Sequence, residues 1–216
     1  MPCNCCQITD ETFGEGDARA GLKGYRRRGP AAQTKEILRA VRSRGLKGAT
    51  LLDIGGGIGV IHHELLDDTA RSATHVDTSS AYLKAAEAEA SRRGHGGRVT
   101  FLHADFTDVA STLSETDIVT LDRVVCCYPD FRALLAAAAG RSKRLLAISY
   151  PREVWYTRAV IGLMGLVQSL RRDPFRMFVH PIMQMDSVLA ASGMRRMSLK
   201  RFAFWEVALY ARVSAE

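Results

Sequence analysis

No apolar run in this chain is long enough to cross a bilayer. The longest, Ala159–Leu170, holds twelve residues and is interrupted by Gln168, whereas a spanning helix needs about 20. The sequence does not open on a basic segment followed by an apolar core and a cleavage site, so no secretory leader is expected. Cysteine is scarce and odd in number: five in 216 residues, four of them in the adjacent pairs Cys5–Cys6 and Cys126–Cys127. Adjacent Cα atoms lie about 3.8 Å apart across a trans peptide, below the roughly 4.4–6.8 Å usual for a disulfide. Neither pair is therefore a comfortable disulfide within itself, and a reducing cytoplasm is the expected compartment. Cys3-x-x-Cys6 has zinc-compatible spacing, but no second such pair accompanies it, and no metal site is expected. Internal repeats and low-complexity linkers are missing as well. One domain over residues 1–216 is the expectation.

What is present is ordinary globular material, with 47% hydrophobic and 25% charged residues. Lys and Arg number 30 against 23 acidic residues, a net charge of +7. Such an excess can serve nucleic acid or an anionic surface, but here it is scattered: Arg26–Arg28, Arg92–Arg93, Arg141–Arg144, Arg171–Arg172 and Arg195–Arg196. Most of these positions fall at the ends of expected elements, where cations complement helix C-termini. No nucleic-acid partner is expected.

Met1–Gly16 is polar and without periodicity. Pro30–Arg44 reads as a helix, with Ile37, Leu38 and Val41 on one stripe and Gly45 ending it. Strands are expected at Ala49–Ile54, Ser72–Val76, Arg98–Leu102, Asp117–Leu121 and Leu145–Ser149. Helices are expected between them at Ile58–Asp67, Ser79–Arg93 and Phe131–Ala139. Pro181–Ser192 looks helical, and Arg195–Ala203 and Trp205–Val213 look like two tightly joined strands. The alternation predicts an α/β fold, a doubly wound and mostly parallel sheet finished by an antiparallel hairpin.

Leu51-Leu52-Asp53-Ile54-Gly55-Gly56-Gly57-Ile58-Gly59 carries most of the functional information. Glycines at a strand-to-helix turn allow positive φ and a close approach of backbone to ligand, which then faces the free N–H groups of the helix. The spacing Gly55-x-Gly57-x-Gly59 departs from the G-x-G-x-x-G of dinucleotide folds, and Asp53 before it would repel a pyrophosphate. A ligand bearing an ammonium or sulfonium charge suits it better.

The string resembles motif I of the class I methyltransferases. The resemblance implies a Rossmann-like seven-stranded sheet and S-adenosylmethionine as cofactor. It implies that Gly55, Gly56, Gly57 and Gly59 wrap the methionine part, with Asp53 near its amino group. Asp77 lies eighteen positions after Gly59, at the end of the second strand. With Thr78 it would meet the ribose hydroxyls; the plain alternative for Asp77 is a role at the following helix N-terminus. After the third strand, Asp105 and Phe106 would meet the adenine amino group and ring, unless Asp105 is simply a loop residue. The match spans about Ala49 to Ser149.

In this superfamily the loop after the fourth strand borders the acceptor. Here it reads Asp122-Arg123-Val124-Val125-Cys126-Cys127-Tyr128-Pro129 and lacks the Asn/Asp-Pro-Pro-Tyr/Phe signature of many base and amino-group methyltransferases. Asp122 is assigned to the cofactor side; Cys126, Cys127 and Tyr128 are candidate catalytic residues. His180 is the candidate general base, since phenol and thiol acceptors need deprotonation near neutral pH. For the cysteines and His180 a structural role is equally open.

These assignments divide the chain into a cap segment (1–48), a cofactor-binding core (49–149), an aromatic and apolar acceptor lid (150–181) and a last helix with its hairpin (182–216). The phrases around Cys126, Tyr150-Pro151-Arg152 and Phe178-Val179-His180-Pro181 are loosely similar to a bacterial group placed beside the magnesium-protoporphyrin O-methyltransferases. The expected function is methyl transfer to an O or S nucleophile of a small hydrophobic or aromatic molecule. Two alternatives stand beside it. One is thiol-dependent methylation of a metalloid, with Cys3, Cys5 and Cys6 folding over the pocket; the other is a non-catalytic nucleotide-binding or redox-sensing protein. Homodimerisation is left open.

Overall fold

The computed structural model describes residue 10 and residues 12–213, so the expectations for Cys3, Cys5 and Cys6 lie outside the described residues. Seven strands form one sheet in the order β3-β2-β1-β4-β5-β7-β6. The strands are β1 (Ala49–Ile54), β2 (Ala70–Asp77), β3 (Val99–His103), β4 (Thr116–Asp122), β5 (Ser142–Pro151), β6 (Met194–Arg201) and β7 (Trp205–Arg212). The first five run parallel, while β7 is antiparallel to β5 and β6 to β7. This is the doubly wound Rossmann-like sheet with a terminal hairpin that the sequence predicts.

The alternation of side chains along each strand divides two apolar layers between the faces of the sheet. On one face Leu52, Ile54, Val119, Leu121, Leu146 and Ile148 pack with Leu134 and Leu135 of α6 (Phe131–Arg141) and Leu189 of α8 (Ile182–Ala191). On the other, Leu51, Ile118, Leu145 and Ala147 pack with Ile37, Leu38 and Val41 of α2 (Ala32–Arg42) and Ile61 and Leu65 of α3 (Val60–Leu66). Asp53 and Thr120 follow Leu51 and Ile118 at a spacing of two and therefore face α3. The parallel register places Thr120, Asp53, His75 and Phe101 side by side across four strands. A buried polar row of Thr120, Asp53 and His75, flanked by the partly buried Phe101, thus lies beneath α3.

The largest departure from expectation is α1 (Glu15–Arg28), a fourteen-residue helix that starts at the end of the aperiodic Met1–Gly16 and runs through residues for which no element was expected. Only Ala18 is buried on it, so it has no apolar stripe to read. Its ends carry the signal instead: Glu15 and Asp17 in the first turn, Arg26–Arg28 in the last. Arg26 donates to Glu89 on α4 (Ser80–Arg92), and Tyr25 donates to Glu64 on α3 at 2.7 Å. These contacts hold the last turn of α1 against α3 and α4.

Residues 150–181 contribute α7 (Trp155–Leu170), which buries only Thr157 and Ile161 and leaves Trp155, Leu163, Leu166 and Leu170 exposed. Among the described residues no helix is long and apolar enough to cross a membrane. The hairpin strand β6 is an outer edge on which Arg195, Arg196, Lys200 and Arg201 are all exposed.

Candidate active site

The chain leaves β1 through a turn that only glycine accommodates. Gly55, Gly57 and Gly59 have φ of 58°, 56° and 83°, in the left-handed region. A Cβ on Gly55 would lie 2.5 Å from the Val124 side chain, and one on Gly59 2.4 Å from the His62 ring. Gly56 has ordinary φ, but a Cβ there would sit 2.7 Å from the Asp53 carboxylate. Gly57 differs: its nearest neighbour would be Tyr82, at 3.9 Å, so this part of the turn faces open space. Gly59→Ala is accordingly expected to cost about 2–4 kcal/mol through strain and overpacking. Gly57→Ala incurs only the backbone part, so its denaturant midpoint should lie measurably nearer the wild-type value.

Asp77 ties this turn to the next strand. Its Oδ2 accepts from the Gly57 N–H and its Oδ1 from the Ser79 N–H, each at 2.8 Å. The helix-capping role belongs to Ser79, whose hydroxyl accepts from the Tyr82 N–H at 3.2 Å. Asp105, in contrast, does cap: it accepts from the Thr107 N–H at 2.8 Å at the start of α5 (Phe106–Val109). The Tyr128 hydroxyl also donates to it, at 2.8 Å. Phe106 is buried beside it, and Thr78 borders the same hollow. Asp122 accepts from the hydroxyls of Thr34 and Ser149.

Asp53 is buried beneath the glycines, accepting from Thr120 Oγ1 at 2.8 Å and from His62 Nδ1 at 3.1 Å. Burial pushes its carboxyl up, but the hydrogen bond and charge of His62, with His75 and Thr120, outweigh this and hold it below the usual range. Burial likewise pushes His62 down despite its bond to Asp53. The pair is thus a buried carboxylate that accepts a hydrogen bond from the His62 ring at Nδ1. Among the described residues no Lys or Arg pairs with Asp53. A buried carboxylate with no guanidinium or ammonium partner is poorly compensated, which fits a cationic ligand on the turn above.

Asp53, Gly55–Gly57, Asp77, Thr78, Asp105, Phe106 and Asp122 border one cavity of about 960 Å³. At one end are the glycine turn, Asp77 and Phe106. At the other are Cys126, Cys127, Tyr128, Met164, Phe175 and Met177, with Phe13 and Tyr82 between them. Phe13 stacks on Tyr82 at 5.7 Å between centroids and meets Phe175 edge-on at 5.2 Å, closing one wall. The loop after β4 begins with Arg123 at φ 63°, held by its N–H donating to Ser149 Oγ at 2.8 Å. A non-glycine residue in this region stores strain, which concentrates at functional sites.

His180 corrects the expectation of a general base. It does not border the cavity; its Nε2 lies 3.1 Å from the Val125 carbonyl and 3.0 Å from that of Tyr128, so this nitrogen is a donor. Burial lowers its pKa despite those bonds. With Phe178 N–H donating to the Cys126 carbonyl at 2.7 Å, it staples residues 173–181 to the loop after β4. Sequence reasoning also missed Thr120, His62 and His75 as the setting of Asp53, and Phe13 as a wall. The register of the strands held a signal for the first group; the aperiodic start of the chain held none for Phe13.

Residues 51–144 match the family model described as a methyltransferase domain. No curated protein matches the chain by sequence. Among solved structures, the chain is similar to magnesium protoporphyrin IX methyltransferase from Synechocystis PCC 6803 with bound S-adenosylhomocysteine. The identity is 17%, covering 97% of this chain and 100% of that one, with a TM-score of 0.73. An O-methyltransferase family protein from Burkholderia thailandensis is 18% identical over 97% of this chain and 63% of its own, with a TM-score of 0.73. An O-methyltransferase family 2 protein from Planctomyces limnophilus, in complex with apigenin, is 15% identical over 86% and 63%, with a TM-score of 0.62. Residues 51–144 thus match a methyltransferase domain, and the chain has the fold of these methyltransferase structures.

Proposed function

We propose that this chain moves the methyl group of S-adenosylmethionine to an O or S nucleophile on a small hydrophobic or aromatic molecule. The observation that carries this reading is the single cavity, polar and glycine-walled at one end and apolar at the other. The cofactor supplies an already electrophilic methyl on a sulfonium. The protein's own residues orient and enclose: Asp77 fixes the turn, the buried Asp53 charge favours a cation, and the wall of Phe13, Tyr82 and Phe175 keeps water out. Catalysis then rests mainly on positioning, for which effective molarities of about 10⁵–10⁸ M are the upper range. Aligned reactants, rather than a strong base, suit a site that His180 does not enter.

The similarity to a porphyrin methyltransferase and to an apigenin-bound O-methyltransferase family protein supports a flat, apolar acceptor. The test is release of S-adenosylhomocysteine across a panel of phenols, thiols and tetrapyrroles. Turnover should appear with at least one aromatic hydroxyl, carboxyl or thiol compound. Tight cofactor binding with no turnover on any of them would overturn the reading.

A further inference from the structure

Cys126 and Cys127 sit on a single 3₁₀ turn, Val125–Cys127, with their sulfurs 3.7 Å apart. Both border the cavity, Cys126 buried and Cys127 partly exposed. Both sulfurs also approach the Arg123 carbonyl, at 3.4 and 3.6 Å, so they converge on one side of the turn. The turn is fixed from two sides, by Cys127 N–H donating to the Val124 carbonyl at 2.8 Å and by the Phe178 N–H on Cys126. Adjacent residues are too close in the backbone for an unstrained disulfide. Two thiols are thus held side by side, facing an open space, in an arrangement that resists closing on itself.

We propose that this vicinal dithiol is a binding site for a trivalent, thiophilic metalloid of the arsenite class. A soft centre prefers thiolate ligands, and arsenic(III) needs only three pyramidal ligands, so two fixed sulfurs leave its third position turned to the cavity. A zinc ion would need four, and among the described residues no group of three or more His, Cys, Asp or Glu is placed to hold a metal ion. The exchange balances without oxidation. Each Sγ forms one arsenic–sulfur bond as one arsenic–oxygen bond breaks, and each hydroxide leaves as water with the thiol proton. The protonation of the pair assists: the hydrogen bond from Cys126 lowers Cys127, aided by Arg123 and opposed by burial, while Cys126 is raised. Cys127 is the sulfur that attacks first. The site is independent of the methyl-transfer reading, since it needs neither cofactor nor turnover.

The probe is phenylarsine oxide, which forms two arsenic–sulfur bonds with loss of one water. The protein is the full chain carrying Cys3→Ser, Cys5→Ser and Cys6→Ser, so that only the pair remains. Intact mass should show one adduct per chain, released by a dithiol but not by a monothiol at equal thiol concentration. Cys127→Ser and Cys126→Ser should each weaken binding on the order of 10²-fold, because the second bond is intramolecular. Cys127 is the more exposed, and matching far-UV melting of its serine variant confirms that the fold is retained. An adduct on Cys127→Ser as tight as on the parent, or no adduct on the parent, overturns the proposal.

Discussion

Replacing Asp77 by alanine is expected to lower affinity for S-adenosylhomocysteine by about 10²-fold or more, measured by calorimetry. The carboxylate holds the Gly57 N–H with one oxygen and the Ser79 N–H with the other. It therefore shapes the turn and the loop after β2 together. Hydrogen bonds to a charged acceptor contribute about 1.5–3 kcal/mol each, so losing two of them, or the ligand hydroxyls that replace them, reaches that factor. Asp77→Asn keeps the shape but loses the charge and one acceptor, and should fall between the wild type and alanine. An alanine variant that binds within about threefold of wild type would show that Asp77 is not part of the cofactor site. The effect should appear in binding and far less in the melting temperature, since Asp77 lies at a strand end rather than in either apolar layer.

The second large effect is acid lability. Burial pushes His62 and His95 down, and it drives His63 to about 2, with neighbouring histidines and Arg93 adding to the shift. The unfolded chain takes up these protons near pH 6.5, whereas the folded chain does not. Stability is therefore full above about 6.5 and falls as pH drops toward the folded values, by up to about 1.4 kcal/mol per unit for each histidine. Between pH 7.5 and 4.5 the shift of His63 alone removes on the order of 3 kcal/mol, a sizeable part of a typical domain's stability, and His62 and His95 act in the same direction. Urea midpoints at those two pH values should differ sharply, and His63→Phe should clearly reduce the difference. Equal midpoints would mean that the imidazoles are solvated and freely titrating. Glu89 acts in a lower window: Arg92 foremost, then Arg26, hold it at about 2 against the cost of burial. Its contribution is lost only as pH falls from the ordinary carboxylate range toward 2.

The parts of the fold set by hydrophobic periodicity were legible, and those set by long-range polar contacts were not. β1 occupies Ala49–Ile54 as the apolar run predicts, because a central parallel strand is buried on both faces. α3 begins at Val60 rather than Ile58, since Gly59 at φ 83° cannot be helical. α1 was illegible because it is held by a hydrogen bond to α3 and an ion pair with α4 instead of an apolar stripe. At the site, spacing together with the family resemblance brought the glycines, Asp77, Asp105 and Asp122 to one edge of the sheet. What spacing cannot reveal is the partner of each side chain. His180 looks like a base in sequence, but in space its ring lies between Phe131 and Phe178, with Nε2 turned to backbone carbonyls.

The outer hairpin strand has a consequence for the protein in a crowded solution. An unpaired edge offers its backbone to any similar strand, and a sheet can grow from one molecule into the next. Here that edge carries Arg195, Arg196, Lys200 and Arg201 along eight residues. A second copy approaching edge to edge would bring a like row of guanidinium and ammonium groups against them. The β6 edge is thus guarded by charge repulsion against edge-to-edge growth.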